Sequence, residues 1–183
     1  MKKEFIKLSA ILCIITLVAG LLLAGVNYIT APAILEAEKK ASENAMKSLL
    51  PMADSFKSVK SDENLFLAIN DSNIVGFCAK VTSTGYGGDV VMMVGIDENL
   101  SVQGIEILSQ SETAGLGAKI TDKNFKKQFK NKSLAELKAV KRETDSPYEF
   151  TAVTGATISS RAVEDGISKA REMVEKEIME GIK

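Results

Sequence analysis

The 183-residue chain contains no histidine. That absence removes Ser-His-Asp and Cys-His nucleophilic catalysis, HExxH zinc chemistry and a haem held by a proximal histidine. Two cysteines, Cys13 and Cys78, are too few for a four-thiolate zinc or iron–sulfur site, and no metal site is expected. Neither charge is in surplus, with 23 Lys+Arg against 24 Asp+Glu. The basic footprint of a nucleic-acid-binding protein is therefore missing. Internal repeats and low-complexity segments are missing too. Hydrolases of the familiar kinds are excluded.

The residues that are present divide in two. No charged residue occurs from Leu8 to Leu35, and residues 11–26 are almost wholly apolar. The stretch exceeds the roughly 20 residues that cross a bilayer as a helix. It is also longer than the roughly 7–15-residue apolar region of a cleaved signal peptide. No cysteine follows Leu23-Ala24-Gly25 to make a lipoprotein anchor. Residues 1–7 are read as a cytoplasmic N-terminus, 8–30 as an uncleaved transmembrane helix, 31–52 as a stalk helix and 53–183 as an extracytoplasmic domain. Lys2, Lys3 and Lys7 set that single-pass orientation in the cytoplasmic membrane by the positive-inside rule. With Cys13 in the span and Cys78 outside it, no disulfide is expected within one chain.

Pro32 predicts a kink after the span. Ile34, Ala37, Ala41, Ala45 and Leu49 then recur at helical spacing up to Pro51. Segments 65–69, 74–81, 90–96 and 102–108 are rich in β-formers and are separated by short turn signals, which predicts an antiparallel meander. A polar loop at 111–117 leads into a basic helical stretch at 122–130. A turn at 133–136 and a strand at 137–141 are expected next. From Ser159 to Ile182 the pattern is a long helix with an apolar stripe of Val163, Ile167, Ala170, Val174 and Ile178. Ser159 or Ser160 is its expected N-cap.

Three glycine-containing strings are candidates for chemistry. Gly85-Tyr86-Gly87-Gly88 lies between two expected strands and reads on its own as a hairpin connection. Gly115-Leu116-Gly117 lacks the third glycine and the leading strand of a dinucleotide fingerprint. Thr154-Gly155-Ala156-Thr157 precedes the last helix, and a turn followed by a cap explains it equally well. What favours more is the Thr157 hydroxyl, preceded by almost no side-chain bulk and close to a helix N-terminus, where free N–H groups favour a phosphate.

The string Phe150-Thr151-Ala152-Val153-Thr154-Gly155-Ala156-Thr157 resembles the S/T-G-A-T flavinylation motif of the RnfG family, the membrane-anchored flavin subunits of Rnf complexes. The related flavin subunit of the sodium-pumping NADH:quinone reductase shares that motif. Ser111-Glu112-Thr113-Ala114-Gly115-Leu116-Gly117 is similar to the family's E-T-P-G-L-G segment, with Ala114 in place of proline. The run from Gly85 to Asp97 is similar to its G-Y-G-G turn and strand. Thr151 stands where the motif usually has Asp, six residues before the acceptor.

The resemblance implies an α+β fold, with one N-terminal transmembrane helix and a single FMN-binding domain of mainly antiparallel sheet and flanking helices. It implies FMN bound covalently through its phosphate to Thr157, with Thr154, Gly155 and Ala156 beside it. Glu112, Thr113, Gly115, Leu116 and Gly117 would lie around the ring, and Gly87 and Gly88 are weaker candidates. The implied partners are the other subunits of an Rnf-type ferredoxin:NAD+ oxidoreductase, a flavin transferase for maturation, and the membrane. The alternatives are the corresponding part of a Na+-translocating NADH:quinone reductase, a stand-alone extracytoplasmic FMN reductase and a non-redox assembly subunit.

Overall fold

A computed structural model of the chain describes residues 2–181. Its first element, α1 (Lys2–Leu49), runs unbroken through the stretches expected as span and stalk, with Pro32 inside it. A proline in a helix removes one i→i−4 hydrogen bond, here to the Tyr28 carbonyl. Apolar helices tolerate that loss when the freed carbonyl finds another partner. The chain stays helical through Pro32, where the sequence predicts a kink. From Ile6 onward α1 is long and apolar enough to cross a membrane.

Two compact units divide the chain, residues 1–40 and 41–183. The second is built on a six-stranded antiparallel sheet in sequential order. Its strands are β1 (Ser55–Ser58), β2 (Leu65–Asn70), β3 (Asn73–Thr84), β4 (Asp89–Asp97), β5 (Ser101–Ser109) and β6 (Lys132–Ser133). The two-residue period of a strand sends successive side chains to opposite faces. In β4, fully buried Met92 and Val94 accordingly join the larger core while Met93 between them joins the smaller one.

The smaller core lies under the end of α1, where Ala45, Met46 and Leu50 pack with Ala68, Cys78 and Met93. Leu49 sits against Gly95 and Gly104, which face each other across β4 and β5. A Cβ added at Gly95 would come within 2.7 Å of the Leu49 Cβ, and one at Gly104 within 3.0 Å of its Cδ2. The two glycines make the flat seat on which the helix end rests.

The larger core lies under α3 (Thr157–Glu180), whose Val163, Ile167, Ala170 and Val174 are buried against the sheet. One member of the expected stripe differs, and a charged neighbour takes its place. Ile178 is exposed, whereas Glu177 is buried and accepts a 2.5 Å hydrogen bond from the Ser61 hydroxyl. The helix also begins at Thr157, two residues earlier than expected. Ser159 and Ser160 are thus buried in its first turn, and Ala156 holds the cap position with no side-chain bond.

The basic stretch folds as a 3₁₀ turn (Gly117–Thr121), the short helix α2 (Lys123–Lys126) and a second 3₁₀ turn (Lys127–Phe129). Phe125 and Phe129 from it meet Phe150, with ring centroids 4.8–5.9 Å apart. Such aromatic pairs contribute about 0.5–1.5 kcal/mol each beyond area burial. Phe150 belongs to β8 (Glu149–Thr151), which pairs in parallel with β7 (Lys138–Val140). The aromatic cluster fixes the end of β8, from which the chain enters α3.

Candidate functional site

Three loops meet at one end of the sheet: the β3–β4 turn, the segment after β5, and the link from β8 into α3. Glu112 joins all three. Its side chain is buried, and Oε1 accepts the Tyr86 N–H at 2.8 Å and the Gly87 N–H at 3.1 Å. Oε2 accepts the Ser159 hydroxyl at 2.5 Å. Hydrogen bonds to an ionised group contribute about 1.5–3 kcal/mol each, and a buried carboxylate needs such donors to be tolerated.

The glycine at position 117 follows from this arrangement. A Cβ there would collide with the Ser159 hydroxyl and with the Glu112 side chain. Gly155 answers a different need, a backbone φ of 77°, which glycine adopts without steric cost. Ser160 secures the same turn, accepting the Val153 N–H at 2.9 Å and donating to the Ala156 carbonyl at 3.0 Å.

Between the three loops lies a cleft of about 510 Å³ lined by Tyr86, Glu112, Thr113, Leu116, Gly117 and residues 155–159. The candidate residues Glu112, Thr113, Leu116, Gly117, Gly155, Ala156 and Thr157 therefore come together. Gly87, Gly88, Gly115 and Thr154 stand outside the lining, in the turns that carry it. Ile158 and Ser159 line the cleft although no site role was expected of them, and Tyr86 joins them from the weaker candidate stretch 85–88. Tyr86 lay within a quoted motif, so its place was within reach of the sequence.

Thr157 is exposed, and its hydroxyl makes no hydrogen bond among the described residues. The backbone N–H groups of Thr157, Ile158 and Ser159 likewise have no acceptor there, whereas that of Ser160 is bonded to Ala156. A free hydroxyl beside free helix-start donors suits a phosphate monoester. Tyr86, Leu116 and Ile158 provide exposed apolar surface at the same cleft for a planar ring. The residues present fit a phosphorylated flavin.

An apolar N-terminal helix followed by an antiparallel-sheet domain with this threonine cleft defines a flavin-domain protein. The FMN-binding domain family model matches residues 85–172, and that of the RnfG N-terminal region matches residues 1–49. The chain belongs to the RnfG family of ion-translocating oxidoreductase subunits. It is 32% identical to the G subunit of the proton-translocating ferredoxin:NAD(+) oxidoreductase complex of Clostridium ljungdahlii, over 89% of this chain and 88% of that one. To the G subunit of the Na(+)-translocating complex of Acetobacterium woodii it is 36% identical, over 91% and 89%. The crystal structure of Shewanella oneidensis NqrC is similar in fold, with a TM-score of 0.50 at 18% identity over 64% of each chain.

Proposed function

We propose that the chain is the membrane-anchored, flavin-carrying electron-transfer subunit of an ion-translocating ferredoxin:NAD+ oxidoreductase, with FMN esterified through its phosphate to Thr157. The observation that carries this reading is the unbonded Thr157 hydroxyl in a cleft framed by all three family motifs. Family membership across both parts of the chain supports it.

In this reading the N–H groups at the start of α3 hold the phosphate, Gly155 and Ala156 keep its approach open, and Tyr86, Leu116 and Ile158 flank the ring. When bound, the flavin supplies one- and two-electron redox chemistry. The protein's own part is to hold the group and shape its surroundings. Glu112 does so from beneath by fixing the loops. Maturation requires a flavin transferase, and the working assembly includes the other subunits of the complex.

The N-terminus is cytoplasmic and the flavin domain extracytoplasmic, supported by Lys2, Lys3 and Lys7 ahead of the apolar stretch. A covalent tether suits that side of the membrane, because a dissociable flavin is lost to the medium. Intact mass of the full chain, produced with and without a flavin transferase, tests the linkage. A transferase-dependent gain of one FMN on the peptide containing Thr157 is expected, and an unmodified peptide overturns the reading. Protease added to spheroplasts should remove the domain and spare the N-terminus; a fully protected chain reverses the orientation.

A further inference from the structure

The segment from Lys119 to Lys130 holds five lysines and one acid, Asp122, in a chain of net charge −1. Lys126 is neutralised by Glu106, with Nζ 2.5 Å from Oε1. The other four, Lys119, Lys123, Lys127 and Lys130, are exposed, and their side chains have no partner among the described residues. Ile120, Phe125 and Phe129 of the same segment are buried, so the lysines occupy its outer side. The segment starts at the edge of the cleft, and Lys119 is the lysine nearest to its lining. Lys119 donates its N–H to the carbonyl of Leu116 at 3.1 Å, and the first 3₁₀ turn begins at Gly117 in the cleft lining.

The cleft rim has a complementary character. Tyr86 is 73% exposed, Leu116 47% and Ile158 50%. Leu116 also covers Gly155, its Cδ2 3.4 Å from where a Cβ would stand. Exposed aromatic and aliphatic side chains at a concavity, bordered by charge of one sign, are the composition of a protein interface with an apolar centre and a polar rim. The lysines supply attraction and orientation at long range, and the part of the rim that a seated ring leaves uncovered supplies the close contact. Redox encounters of this kind use small interfaces.

We propose that this lysine face and the Tyr86–Leu116–Ile158 rim together dock an acidic protein surface on another redox subunit of the complex, placing it at the mouth of the Thr157 cleft. The proposal rests on the functional reading above for the nature of the partner. Docking forms no covalent bond. An occupant of this surface covers the mouth of the cleft, which is the place from which electrons reach a cofactor held on Thr157.

The test uses the full chain in its complex. In native membranes, a water-soluble carbodiimide should join these lysines to Asp or Glu side chains of one other subunit. The combined Lys119→Glu, Lys123→Glu, Lys127→Glu and Lys130→Glu variant should lose those links and keep its covalent flavin. Flavin reduction within the complex should slow by roughly ten-fold or more at low salt. The gap from the unaltered chain should narrow as salt shortens the reach of charge. Links only within this chain or between two copies of it, or a variant with unchanged rate and unchanged salt dependence, overturn the proposal. Inter-subunit links on a chain that carries no flavin uphold the docking surface and overturn the flavin reading instead.

Discussion

Ser159 donates its hydroxyl to Oε2 of Glu112 across 47 residues of sequence, at 2.5 Å. The bond ties the first turn of α3 to the segment after β5. Through Oε1 the same carboxylate reaches the β3–β4 turn. The cleft is therefore held from below by one side chain, and its shape depends on that side chain's acceptors.

Glu112→Ala removes both acceptor oxygens, and with them three hydrogen bonds, stranding the Tyr86 and Gly87 N–H groups and the Ser159 hydroxyl. The expected loss is about 2–4 kcal/mol of stability, since a buried donor left unpaired costs about 1–3 kcal/mol, together with a fall in flavinylated fraction. Glu112→Gln keeps an oxygen for the two N–H groups and should lie between alanine and the parent. Urea midpoints for the three proteins give the order directly, and an alanine variant as stable as the parent refutes the bracing role.

Thr157→Ala should behave in the opposite way. Because the hydroxyl makes no hydrogen bond among the described residues, its removal should change stability by less than about 0.5 kcal/mol while abolishing covalent flavin. In-gel fluorescence under denaturing conditions reads the linkage. A fluorescent Thr157→Ala band points to attachment elsewhere, with Thr154 the first position to examine. Thr151→Asp restores the residue usual at that place and should raise the flavinylated fraction when transferase is limiting. Its cost in the fold is the 3.2 Å bond from the Thr151 hydroxyl to the Arg142 carbonyl.

Gly95→Ala places a methyl group where Leu49 now rests. Overpacking of this kind costs about 1–3 kcal/mol. The companion change Leu49→Gly in the Gly95→Ala background should cost less than the sum of the two single changes, because the atom the new methyl meets at 2.7 Å is the Leu49 Cβ, which alanine would keep and glycine removes. Thermal denaturation of the single and double variants tests the coupling, and simple additivity rules the contact out.

Cys78 is fully buried in the smaller core, and burial pushes its thiol up from 9.0 to about 12. The folded state thus keeps the proton over a range in which the unfolded chain releases it. Stability from this group is complete below pH 9 and falls as pH rises toward 12, by about 1.4 kcal/mol per unit at most. In a Cys13→Ser background, alkylation at neutral pH should require unfolding. Rapid labelling of the native chain contradicts this burial.

The central strands were legible because β-branched runs and turn signals act locally. β2 to β5 fall close to their expected bounds, differing by up to three residues at an end. β1, β6 and β8 are two to four residues long, too short for periodicity to register. The serines at the start of α3 misled for a physical reason. A serine near a helix start usually caps it, but here Ser159 bonds to Glu112 and Ser160 to the preceding turn, leaving Ala156 at the cap. The glycine motifs and Glu112 itself could be read, whereas the way its carboxylate gathers the three loops could not, since its partners come together only in the folded chain.

The bare start of α3 also bears on the order of biosynthetic events. The first donors of α3 have no acceptor among the described residues, and in the proposed reading a phosphodiester on Thr157 would supply one. Modification would then act as a late folding step as well as a loading step. The finished chain should be set apart from its precursor by a stiffer helix start, with slower amide exchange at Thr157, Ile158 and Ser159.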